Sequence, residues 1–167
     1  MAEDEFYIPT INLLQEETNT EYQESITLKA LDLVWDAETY VPYDYLGKAL
    51  PIQGSTVVVD ALLYISGGDR NNLKFSWFLD NTFQEAKSGY GKNSFRFNIR
   101  RTAESTHNVL IKIFNDDRSF YVEKSIEIPI AKQEVILSSI NTNKLSLIAK
   151  PYFFTIDKIT DLIFKWT

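Results

Sequence analysis

The sequence predicts an all-β chain in which residues 41–131 form an antiparallel, immunoglobulin-like β-sandwich of the PKD or fibronectin kind, without a disulfide. Three observations predict it. Apolar residues recur at every second position in one segment after another, the pattern of strands with one face in a core and the other in water. Clusters of Gly, Asp and Asn separate those segments, as turns require. A tryptophan, Trp77, stands mid-strand in a chain with no cysteine, so packing must supply what a disulfide otherwise would.

Taken in order, Ile26, Leu28, Ala30 and Leu33 to Trp35 mark a first strand. Residues 1–40 are read as a leader with the last strand of a preceding module or a linker. Val57, Val59, Ala61, Leu63 and Ile65 then alternate with Val58, Asp60, Leu62 and Tyr64, and Gly67-Gly68-Asp69 turns the chain. Leu73, Phe75, Trp77 and Leu79 alternate with Lys74, Ser76, Phe78 and Asp80, and Asp80-Asn81 ends that strand. After a loop through Ser88-Gly89-Tyr90-Gly91, Phe95, Phe97 and Ile99 alternate with Arg96, Asn98 and Arg100. His107, Val109, Ile111 and Ile113 repeat the pattern up to Asn115-Asp116-Asp117. A last strand carries Phe120, Val122, Lys124, Ile126 and Ile128 and stops at Pro129.

In sandwiches of this type a central Trp packs between residues of two facing strands. Leu63, 14 residues before Trp77, and Val109 take those places, and His107 stands where a corner tyrosine often does. The predicted core is Leu63, Phe75, Trp77, Phe97 and Val109, with Phe95 adding area.

The chain also echoes itself. Leu73-Lys74-Phe75-Ser76-Trp77 returns 89 residues later as Leu162-Ile163-Phe164-Lys165-Trp166, a spacing of about one sandwich module. Residues 132–167 are therefore read as the truncated start of a second module. Its exposed strands are expected to pair with a partner copy, or to be covered by Phe6 to Leu14.

Composition narrows function. A net charge of −6 disfavours a nucleic-acid backbone as partner. Without cysteine there is no thiolate zinc site and no Cys nucleophile. No apolar run is long enough to span a membrane, and the acidic start Met1-Ala2-Glu3-Asp4-Glu5 lacks the basic region of a signal peptide. His107 is the single histidine, so it is the only base available to a Ser-His-Asp arrangement; at its strand position it reads as a corner residue. Asp116-Asp117 with Asp69 or Asp80 would offer oxygen ligands to calcium only if their loops converged, and acidic turn residues have their own backbone-bonding reasons. No catalytic, cofactor-binding or metal-binding residue is assigned. Trp35, Tyr40, Tyr43 and Tyr45 are the candidate binding aromatics, suited to packing on a neighbouring module or stacking on a sugar. Arg96, Arg100 and Arg101 form a small basic patch.

The run from Leu31 to Pro42, followed by Gly47-Lys48-Ala49-Leu50-Pro51 and Gly54-Ser55-Thr56-Val57, resembles a stretch in predicted surface proteins of Parcubacteria-type bacteria of the candidate phyla radiation. The resemblance continues through Phe75 to Trp77, Gly89 to Phe97 and Ala149 to Phe154. It implies an exported, surface-attached unit of tandem immunoglobulin-like modules, and it transfers no active site. The expected function is a non-enzymatic spacer or adhesion element at the cell surface, with neighbouring modules, a second copy, a surface protein or a glycan as partner. A carbohydrate-binding accessory module and part of a hydrolase are the alternatives.

Overall fold

The computed structural model describes residues 25–141 and 145–165; Phe6 to Leu14 and Trp166 lie outside them. Two antiparallel sheets pack face to face into an all-β sandwich. The first is ordered β1 (Thr27–Ala37), β2 (Thr56–Ser66), β6 (Ser94–Asn98). The second is ordered β4 (Thr82–Phe83), β3 (Lys74–Leu79), β7 (Thr106–Phe114), β8 (Tyr121–Pro129), and β5 (Gly89–Tyr90) shares the β3 edge with β4.

Alternation does what it should. Val57, Val59, Ala61 and Leu63 of β2, with Phe95 and Phe97 beside them on β6, face Phe75 and Trp77 of β3 and Val109, Ile111 and Ile113 of β7, all within one buried cluster. Trp77 is 0% exposed and stacks on Phe95 with ring centroids 5.5 Å apart. Its indole N–H donates to the Lys92 carbonyl at 2.8 Å, and its backbone N–H donates to Ser88 Oγ at 2.9 Å. A buried Trp needs both partners, because an orphaned N–H there is costly. Across the sheet it is Ile111 that stands opposite Trp77, whereas Val109 pairs with Leu79.

Two differences from the sequence reading concern the ends. The strand assigned to a leader or a preceding module is paired along its whole length with β2, from Thr27↔Ser66 to Ala37↔Val57, and it places Leu31 and Leu33 in the same core. Burial of those side chains decides the matter: β1 supplies one flank of the sandwich, which is incomplete without it. The segment from Leu145 pairs with its own predecessor, β9 (Glu134–Asn141) with β10 (Leu145–Tyr152). This ribbon exposes Val135, Leu137 and Leu147 on one face and Ile136 and Ile148 on the other. The self-echo carries into the structure only at a turn: β3 follows Leu73, whereas residues 162–165 form no strand and Phe164 is exposed where Phe75 is buried. A 3-10 turn at Arg70–Asn72 precedes Leu73, and another at Ile159–Asp161 precedes Leu162, at the same spacing. In both, the leucine N–H closes the turn on the carbonyl three residues back.

The flank where the two sheets meet is closed by a charge. Val122, Lys124, Ile126 and Ile128 alternate along the inner side of β8, and Lys124 Nζ reaches across to the Leu31 carbonyl and, at 2.8 Å, to Asp32 of β1. An inward-pointing Lys on an edge strand blocks pairing with foreign strands. Lys124→Leu is therefore expected to keep the fold but promote association, seen as a concentration-dependent rise in apparent mass by light scattering. A variant that stays as dispersed as the parent would contradict this role.

Candidate functional site

The four aromatics singled out by the sequence do not form one patch. Trp35 packs against the core with Lys48 Nζ 3.8 Å from its ring centroid. Tyr40 makes a backbone bridge to Phe154, with Tyr40 N–H donating to its carbonyl at 2.7 Å. Tyr45 sits edge-on to Tyr152 and Phe153, at 5.5 and 5.9 Å, beside an Asp44–Lys150 ion pair. Tyr43 alone is left wholly in solvent. The segment that holds them lies against the β10 end, and that contact takes up Tyr40 and Tyr45.

The corner around His107 is a clasp. Asp80 and Asn81 both have positive φ, 48° and 66°, the two-residue type I′ connection that matches strand twist between β3 and β4. That turn points the Asp80 carboxylate back at β7. It accepts from the Asn108 N–H at 3.0 Å, from His107 Nδ1 at 2.7 Å and from Arg101 at 3.0 Å. Partial burial pushes the Asp80 pKa up, yet these three donors outweigh it and hold the carboxyl below the ordinary value of 3.8. An ionised Asp80 makes Nδ1 the protonated nitrogen. His107 Nε2, the atom a general base would use, is buried and has no hydrogen-bond partner among the described residues, and the Phe97 ring stands perpendicular to the imidazole at 5.5 Å. Of the basic patch, Arg101 belongs to this clasp and Arg96 pairs with Glu38.

At the opposite end of β3, Asp69, Asp116 and Asp117 line one cleft, but Asp80 does not join them. Asp69 accepts from the Asn71 N–H, Asp116 from the Tyr90 hydroxyl and Asp117 from the Ser119 N–H. Among the described residues no three acidic or histidine side chains gather closely enough to hold a metal ion.

A surface that the sequence reading did not assign gathers exposed aromatics: the solvent face of the five-stranded sheet. Directly opposed residues of antiparallel strands share a face, so the register builds it line by line. Tyr90, Lys74, Phe114 and Tyr121 form one line across β5, β3, β7 and β8. Phe83, Phe78, Leu110 and Ser125 form a second. Between them run Ser76, Lys112 and Glu123, the last two an ion pair at 3.7 Å. Phe83, Tyr90 and Tyr121 are each about half exposed, and Phe78 leans on Phe83 at 5.3 Å with a 49° tilt. Arg118 lies 3.9 Å over Phe114. The Tyr90 and Tyr121 hydroxyls donate to Asp116 and Glu123, which raise both phenol pKa values and fix the ring positions. The sequence does contain a signal for this face. Phe78, Leu110 and Phe114 occupy the phase of their strands that water should favour, and a contiguous apolar patch in that phase marks an interaction site.

The chain matches no family model, and no curated protein or solved structure shows significant similarity to it.

Proposed function

We propose that this chain is a non-enzymatic, immunoglobulin-like module of a cell-surface protein, serving as a spacer or adhesion element among neighbouring modules of its kind. The observation that carries the reading is the aromatic outer face of the five-stranded sheet, joined to a sandwich whose one histidine is locked into a corner clasp. The matching 3-10 turns at a spacing of one module support the tandem arrangement, and the resemblance of residues 31–167 to exported tandem modules supports the surface location. A hydrolase of the Ser-His-Asp kind would need His107 Nε2 to meet a substrate, and that atom is enclosed.

Two measurements test this. Antibodies to the chain should label intact, unpermeabilised cells of the source organism; labelling only after permeabilisation would remove the surface placement. Beads coated with the chain should retain envelope fragments from those cells, and a Phe83→Ser/Tyr121→Ser double variant should lose most of that retention. Equal retention by both proteins would remove the face from the proposed function.

A further inference from the structure

We infer that the outer face of the five-stranded sheet binds a neutral, flat-faced sugar chain of the β-1,4-linked hexose class, an inference that rests on the interaction-face reading above. A hexose with equatorial substituents has one face of C–H groups and a rim of hydroxyls, so it needs aromatic rings with hydrogen-bonding groups beside them. That is the layout here. The two aromatic lines run through positions 74 and 78 of β3, and four residues of strand set them about 13 Å apart. The line between them offers the Lys112 ammonium and the Glu123 carboxylate, while Ser76 on the same line is buried. Within the first line, Tyr90 and Tyr121 lie three strands apart, about 14 Å, with their hydroxyls already engaged. What they have left to offer is ring surface.

Charge argues for a neutral chain. Lys74, Lys112 and Arg118 share the face with Asp116 and Glu123, so it carries both signs, and the net charge of −6 works against a polyanion. The ion pair argues for a sugar over a protein. A dry protein interface would bury Lys112 and Glu123 together at a desolvation cost, whereas a hydrated glycan leaves them in contact with water.

The test is a titration of the full chain with cellohexaose and with chitohexaose, followed by NMR or calorimetry, with Phe83→Ala, Tyr121→Ala and Tyr43→Ala alongside the parent. At least one oligosaccharide should bind the parent. Phe83→Ala and Tyr121→Ala should each weaken that binding about tenfold, while Tyr43→Ala, which removes a fully exposed aromatic elsewhere, leaves it unchanged. Both face substitutions are at half-exposed positions, and an unaltered unfolding midpoint will show that the fold is kept. Absence of binding by the parent, or binding indifferent to both substitutions, overturns the inference. If neither sugar binds but the Phe83→Ser/Tyr121→Ser variant still loses envelope retention, the glycan falls and the interaction face stands. A parent dimer that the same substitutions dissolve without sugar would assign the face to a second copy and overturn it as well.

Discussion

Replacing Trp77 with alanine is expected to lower the stability of the sandwich by about 3–5 kcal/mol, the largest effect of any single substitution here. The side chain is 0% exposed and stacks on Phe95, which in turn stacks on Phe97 at 5.1 Å. Removing the indole leaves a cavity that this aromatic column cannot collapse to fill, and it strands the Lys92 carbonyl. Trp77→Phe separates the two contributions: it refills most of the volume but leaves the carbonyl without its donor, so a loss of about 1–3 kcal/mol is expected. Urea denaturation measures both. The midpoints should fall in the order parent, Phe, Ala with unchanged slope, and an alanine variant within about 1 kcal/mol of the parent would mean that Trp77 is not the keystone of the core.

Asp80→Ala should cost about 2–4 kcal/mol at neutral pH, because three donors lose one acceptor group together. His107 Nδ1 and the Asn108 N–H both lose the Asp80 acceptor, while Arg101 keeps its bond to the Thr106 carbonyl. The pH dependence distinguishes this clasp from simple packing. The folded-state pKa of Asp80 lies below the ordinary 3.8, so its stabilisation is fully present above that value and disappears as pH falls through the lower folded-state value. Asp80→Asn, which keeps the shape but not the charge, should therefore lie well below the parent in stability at pH 7. The gap should close as both are acidified. A gap constant from pH 7 down into the acid range would place the contribution in packing and not in the carboxylate.

Much of this was legible in the sequence because the strands that build the core are long and alternate. β2, β3, β6, β7 and β8 follow the period-two runs, and all five predicted core residues are in the one buried cluster. Two kinds of element were not legible. β4 and β5 are two residues each; no period can be read from two residues, and only tertiary pairing with β3 makes them strands. β1 has a clear pattern, but 18 residues separate it from β2, and without a tight turn nothing local announces that the two pair. The outer aromatic face combines both cases. Phe78, Leu110 and Phe114 are visible as apolar residues in the wrong phase, whereas Phe83 and Tyr90 reach the face only through the short strands. Trp35, Tyr40, Tyr43 and Tyr45 drew attention as a cluster in sequence, and the fold disperses them because proximity along an extended segment is not proximity on a surface.

The contact of Lys124 with β1 also bears on how this chain would meet another strand. One ammonium group occupies a carbonyl on the rim of the opposing sheet, so a newcomer approaching that side finds neither rim unguarded. The flank is sealed to lateral growth. Strand addition is thereby opposed along the β1 and β8 side, and the edges that Lys124 does not guard are β6 in one sheet and β4 with β5 in the other.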